Sequence, residues 1–337
     1  MTITSYSQNF EDVLLWRALG HVKDGFYFDI GAMSPDHDSV TRLFYESGWG
    51  GINVDPIPEN IREFRQKRPR DINVECAVSD TSGEKVFYTI MNSGLSTFEL
   101  EFADDAERRG YQTSAQKVRT TTLESLWDEH VPADQEVHFL KIDVEGHEYQ
   151  VIKGGNWKRH QPWVIVVEAT KPNTQEENYQ DWEQVLLEEG YLFSWFDGLN
   201  RYYVAKEHRE LTSSLSVQPN YFDFFTLAEV VSLRGLLETT RGELDTTRGE
   251  LDTTRGELLE KLRVLGLVFE RRKKAVWEKA FFRQGGLPRA LTRKIVVDKF
   301  GVVRPLLLKF VVDTDGVVKS PFFSWFKAEY IKFVRPD

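Results

Sequence analysis

Three short stretches carry residue types that could do chemistry. The first is Asp29-Ile30-Gly31-Ala32, at the end of the apolar run Phe26-Tyr27-Phe28. A glycine directly after a strand lets the backbone approach a ligand closely. The second is Asp55, roughly 20 residues beyond that glycine, where a carboxylate is placed to accept hydrogen bonds from ribose hydroxyls. The third is Lys141-Ile142-Asp143-Val144-Glu145-Gly146-His147-Glu148, in which Asp143, Glu145 and His147 are proton acceptors. Of these, His147 titrates nearest neutrality and is the natural general base on that ground alone. Glu168 closes the run Trp163-Val164-Ile165-Val166-Val167 and, with Asp143, forms a candidate pair of ligands for a divalent metal such as Mg²⁺.

The same spacings narrow the cofactor. After Gly31 come Ala32-Met33-Ser34-Pro35-Asp36, so G-x-G-x-x-G is absent and a pyrophosphate would lack its helix-end cradle. No G-x-x-x-x-G-K-[ST] occurs, which argues against an NTPase. A cofactor with a ribose and no phosphate fits better, and S-adenosylmethionine is the common one.

The elements that must position these residues alternate along the first 208 residues. Strands are predicted at 26–30, 51–54, 72–78, 138–142 and 163–167, with helical segments at 39–47, 59–67 and 148–152. Short buried strands separated by helices predict an α/β fold with a doubly wound, mostly parallel sheet. Residues 191–196 and 201–205 flank Asp197-Gly198-Leu199-Asn200 and read as a hairpin closing that sheet. Residues 209–232 lack a clear period and are expected to be a linker or irregular lid.

At this point the chain resembles the FkbM family of S-adenosylmethionine-dependent O-methyltransferases. The resemblance runs in order through Tyr6-Ser7-Gln8-Asn9-Phe10-Glu11-Asp12, Gly25 to Ala32, and Pro35-Asp36-His37-Asp38-Ser39-Val40-Thr41. It continues with Gly48 to Pro56, Ala77-Val78-Ser79-Asp80, Lys141 to Glu148, and Asp197 to Val204. Asp55 departs from the pattern, since family members more often carry glutamate there; both bind a ribose diol. The resemblance implies a Rossmann-like class I methyltransferase sheet. It implies that Asp29, Gly31 and Ala32 line the methionine end of S-adenosylmethionine, with Asp55 on its ribose. It also implies that Ser79 and Asp80 belong to the cofactor site and that Ser7 and Gln8 fold over it. Asp143, Glu145 and His147 then stand beside the transferable methyl group as catalytic candidates.

Composition adds a second part to the chain. Its 337 residues carry 43 basic and 53 acidic side chains, a net charge of −10. Residues 261–337 hold 18 basic and 7 acidic side chains, a net of +11, whereas residues 1–260 have a net of −21. Between these halves Thr239-Thr240-Arg241-Gly242-Glu243-Leu244-Asp245 recurs twice with a period of seven. Leu237, Leu244, Leu251, Leu258 and Leu265 then occupy heptad position a, with Thr240, Thr247 and Thr254 at d, the pattern of an α-helical coiled coil over 233–268. Arg241, Arg248 and Arg255 at e face Glu243 and Glu250 at g, which suits pairing between copies of the chain. The repeat glycines Gly242, Gly249 and Gly256 each cost about 1 kcal/mol in a helix, so a solvated spacer is the competing reading.

The C-terminal tail, 269–337, mixes Arg271-Arg272-Lys273-Lys274 with Trp277, Phe281, Phe282, Trp325 and Phe326. Such a surface suits an anionic membrane or a protein partner such as a glycosyltransferase; no nucleic-acid module is present. The lone Cys76 excludes an internal disulfide, and no basic start precedes an apolar stretch. The expected setting is therefore cytoplasmic, peripheral on the inner membrane. The expected function is methylation of a hydroxyl, on a sugar of a cell-surface polysaccharide, where it could cap the chain. A small secondary metabolite as acceptor, or a scaffold role on a methyltransferase fold, are the alternatives.

Overall fold

A computed structural model describes residues 2–91, 93–172 and 174–271, with only the helical backbone of 265–271. The chain enters through β1 (Ile3–Ser5) and α1 (Glu11–Leu19). It then builds β2 (Phe26–Ile30), α2 (Arg42–Glu46), β3 (Gly50–Asp55), α3 (Pro58–Lys67) and β4 (Ile72–Glu75). An insertion follows, with β5 (Ala77–Val78), β6 (Gly83–Ile90), α4 (Leu100–Arg108) and β7 (Thr113–Thr121). After α5 (Leu123–His130) come β8 (Phe139–Ile142), α6 (Glu148–Lys153), β9 (Val164–Glu168), α7 (Glu183–Glu188), β10 (Tyr191–Phe196) and β11 (Asn200–Ala205). The last described elements are α8 (Thr212–Leu215), β12 (Phe225–Leu227) and α9 (Ala228–Arg271).

Seven strands form the main sheet in the order β10-β11-β9-β8-β2-β3-β4. The five from β9 to β4 run parallel, and the β10–β11 hairpin adds antiparallel beside β9, as its turn chemistry predicts. Every residue of β8 and β9 is buried, because helices cover both faces. One core packs Phe28, Ile30, Leu140, Ile142, Ile165 and Val167 under α5, α6 and α7. The other packs Tyr27, Phe139, Val164 and Val166 under α1 and α2. Strand order reverses at β2, which lies between β3 and β8, so the crevice that α/β sheets offer to ligands opens there.

The predicted strand at 72–78 is two strands: β4 joins the main sheet, while β5 turns into a separate three-stranded sheet ordered β5-β7-β6. Residues 209–232 are no free linker. Leu211 and Leu215 are buried in the α1-side core, and β12 pairs in parallel with β1. Arg17 holds this strap with both carboxylate oxygens of Asp223 and the carbonyls of Ser214, Val217 and Gln218. The aperiodic sequence hid the strap because its anchor lies on α1, about two hundred residues away. Tyr202 and Tyr203 are fully buried and pack in the two cores.

The chain divides into units between Gly235 and Leu236. Across the heptads α9 is one continuous helix, and Leu237, Leu244, Leu251 and Leu258 stand 58–69 % exposed along it. Thr247 and Thr254 turn their hydroxyls onto the carbonyls of Glu243 and Glu250, both at 2.9 Å, so these d positions carry no unsatisfied donor. Among the described residues no helix is long and apolar enough to cross a membrane. The basic aromatic tail from 272 onward lies outside the described residues.

Candidate active site

A cavity of about 670 Å³ opens beyond the carboxyl ends of β2, β3 and β8. Gly31, Asp55, Asp143 and Glu145 line its sheet side, and Phe87, Thr89, Met91 and Phe98 of the insertion form the opposing wall. The volume is that of a site for a small molecule or cofactor.

Gly31 is what lets the two loops meet. Its φ is +84°, and a Cβ there would lie 1.7 Å from the carbonyl oxygen of Asp143. The amides of Gly31 and Ala32 donate to Val54 O at 3.0 and 3.1 Å, and Asp143 N donates to Ile30 O at 3.0 Å. Backbone thus stitches the β2, β3 and β8 ends into one rim.

Asp55 sits on that rim and accepts from Ile57 N (2.7 Å), Asn60 Nδ2 (3.1 Å) and Met33 N (3.1 Å). A carboxylate has about four acceptor positions, so room remains for a ligand hydroxyl. Burial pushes its pKa up to about 6 against those hydrogen bonds.

Beneath the rim lies a polar layer that strand periodicity creates. Alternation places Asp29, Lys141 and Glu168 on the same sheet face as Tyr27, Phe139 and Val166, at the carboxyl end of the α1-side core. Asp29 is buried and accepts from Thr41 Oγ1 at 3.1 Å. Lys141 is buried opposite it and donates to Asp143 Oδ2 at 2.6 Å. Burial disfavours the Lys141 ammonium, but the carboxylates of Asp143, Asp29 and Glu11 outweigh it and keep the lysine protonated. Burial likewise works against the Asp143 carboxylate, and Lys141 nonetheless holds it below the ordinary range.

The remaining acids are pushed the other way. Glu145 is raised to about 9 by burial, then by Asp143 and Glu148. Glu148 is raised to about 7 by burial, although it accepts from Gly146 N at 3.0 Å. Glu168 is raised well above its ordinary value, first by burial and then by Asp143. Glu145 adopts φ +51°, a conformation disfavoured for a side chain of its size, and Thr97 Oγ1 pins its carbonyl at 2.7 Å. One ligand oxygen from each of Asp143, Glu145 and Glu168 lies within 4.8 Å of the others.

In the window between the ordinary glutamate value and these raised ones, the folded state holds protons that the unfolded chain has released. Stability therefore falls as pH rises. The melting temperature is expected to drop by several degrees between pH 5 and pH 9. Glu145→Gln is expected to flatten the upper part of that curve in differential scanning calorimetry; an unchanged slope would remove Glu145 from the explanation.

Other sequence candidates stand off the cavity. His147 is buried beneath Phe98, with ring centroids 4.5 Å apart, and its Nε2 meets Ser79 Oγ at 3.1 Å. Burial and then Lys85 lower its pKa to about 4, so it is neither on the cavity wall nor a base poised at neutrality. Ser79 and Asp80 instead hold Lys85 at the start of the insertion, and Asp80 also meets Lys153. Gln8 is exposed and does not cover the cavity. Its motif folds inward: Asp12 gathers Ser5 Oγ, Tyr6 N and Ser7 Oγ, while Glu11 accepts from Asn200 Nδ2 at 2.9 Å. Asp29 and Ala32 flank the lining residues of their loop rather than line the cavity themselves. The insertion wall, Asn60 and Met33 escaped sequence reasoning altogether.

Residues 29–193 match the family model described as a methyltransferase FkbM domain. The chain carries an FkbM methyltransferase domain. The match begins at Asp29 and ends within β10, so it spans the rim, the polar layer and the insertion of one site. No curated protein and no solved structure matches the chain. The family makes S-adenosylmethionine the expected donor for this methyltransferase. The site fits it: the cavity has the volume, Asp55 keeps acceptor capacity, and the carboxylates of Asp55 and Asp143 suit a cationic ligand.

Proposed function

We propose that the chain is an S-adenosylmethionine-dependent O-methyltransferase whose acceptor is a sugar hydroxyl of a cell-surface polysaccharide, modified at the cytoplasmic face of the membrane. Asp143 carries this reading, a carboxylate on the cavity wall kept ionised by a buried lysine at 2.6 Å. S-adenosylmethionine, when bound, supplies an electrophilic methyl group. Asp55 holds the ribose diol, and the Gly31 loop lets backbone close on the methionine end. Asp143 Oδ receives the hydroxyl proton of the acceptor. Its low basicity suffices because an alcohol oxygen becomes strongly acidic as its new bond to carbon forms, so the proton leaves late. Phe87, Phe98 and Met91 of the insertion give the cavity an apolar wall opposite these groups.

The acceptor class rests on the opposite charge of the two ends. Residues 1–260, with a net of −21, joined to residues 261–337, with a net of +11, suit work beside an anionic membrane where lipid-linked glycans are built. Mass spectrometry of surface glycans from cells with and without the protein tests this: the loss of one methylene mass per acceptor is expected, and identical spectra would overturn it. Removing residues 269–337 is expected to release the protein from the membrane fraction; unchanged sedimentation would refute the docking role.

The exposed leucine ladder of α9 supports a homo-oligomer, with e-position arginines facing g-position glutamates of a second copy. Each buried leucine contributes about 1.5–3 kcal/mol. Leu244→Glu combined with Leu251→Glu is expected to reduce the mass in sedimentation equilibrium to that of one chain. An unchanged mass would place self-association elsewhere.

A further inference from the structure

We propose that Asp143, Glu145 and Glu168 form a binding site for one divalent cation of the Mg²⁺ or Mn²⁺ class. The inference rests on the methyltransferase reading only for what the ion would do, since its binding is separate. Three elements converge to make the site: the residue after β8, the left-handed turn before α6, and the last residue of β9. One oxygen from each carboxylate lies within 4.8 Å of the others, the reach of a single ion placed among them. Glu168 has Asp143 as a side-chain partner, yet each glutamate keeps one oxygen that no donor reaches. Glu168 is only 9 % exposed, and no donor reaches its Oε2; none reaches the buried Oε2 of Glu145. Buried carboxylate oxygens ordinarily find a donor, and each one left without costs about 1–3 kcal/mol.

Lys141 does not fill this gap, since its bond goes to Asp143 Oδ2. The ammonium orients Asp143 from the side of the polar layer, while Glu145 and Glu168 close on it from the loop and the next strand. An all-oxygen donor set selects hard cations over zinc or copper. Three protein oxygens leave positions open in an octahedral shell. Asp143 and Glu145 belong to the cavity wall, so the open positions face the space an acceptor hydroxyl would enter. There the ion would lower the pKa of a coordinated hydroxyl, whose proton passes to a carboxylate or to water.

The test is Mn²⁺ binding by the full chain, stripped of metal, followed by electron paramagnetic resonance and calorimetry. One equivalent per chain is expected for wild type, Mg²⁺ should compete for it, and Glu168→Gln and Glu145→Gln should each weaken it about tenfold or more. Asp128→Asn, a surface carboxylate paired with Arg159, should leave it unchanged. No stoichiometric binding by wild type would overturn the proposal, as would binding that both glutamine variants retain. S-adenosylmethionine titrated into the same samples separates the two readings. Its binding without metal binding sinks the cation site and leaves the methyltransferase standing.

Discussion

Gly31→Ala is expected to abolish S-adenosylmethionine binding and to destabilise the fold by about 3 kcal/mol or more. Two independent costs act at this position. The backbone holds φ +84°, which an alanine adopts only with strain, and the added Cβ would lie 1.7 Å from Asp143 O. No rotamer relieves that overlap, because the obstacle is backbone. The β8 loop must retreat, and with it go the Asp143 and Glu145 carboxylates and the Asp143 N to Ile30 O bond of 3.0 Å. Gly48→Ala is the informative partner: it too has positive φ, at +99°, but nothing lies within 4 Å. It should cost about 1 kcal/mol and leave cofactor affinity intact. Thermal melts with and without S-adenosylmethionine compare the two; equal effects would show that strain alone, and not the loop contact, explains Gly31.

Asp143→Asn is expected to lower the rate of methyl transfer about 10²–10⁴-fold while the protein still folds and binds cofactor. Asparagine keeps the shape but loses both the proton acceptor and the counter-charge for Lys141. The lysine keeps Asp29 and Glu11 nearby, so its burial remains tolerable. Single-turnover kinetics decide between roles. A fall in the chemical step with cofactor affinity within a few-fold fits a proton acceptor at the cavity wall. A fall in affinity with an unchanged chemical step would make Asp143 a cofactor ligand only. His147→Gln should leave the chemical step nearly intact, because His147 lies beneath Phe98 rather than in the cavity.

The rim of this site was legible because each of its residues sits where a short apolar strand ends. Gly31, Asp55 and Asp143 follow β2, β3 and β8 by local rules that a single sequence displays. Lys141 left a weaker signal, a lysine on the buried face of the strand Phe139–Ile142, and its pairing with Asp29 required the register between β8 and β2. The insertion wall left none. Only Phe87 and Ile90 of β6 and Val118 and Thr120 of β7 are buried, so no apolar alternation marks these segments as strands. His147 misled because a neutral-range pKa was read from residue type, whereas burial and Lys85 move it to about 4. Burial, unlike spacing, is a property of the assembled fold.

Calorimetric titration of S-adenosylmethionine into the full-length chain, beside Asp55→Ala, tests the central claim most directly. One equivalent should bind wild type, with affinity weakened about tenfold or more in the variant, the loss of a hydrogen bond to a charged group. No binding to folded wild type, or equal binding to both, would contradict the placement of a methyl donor in the cavity between Asp55 and Asp143.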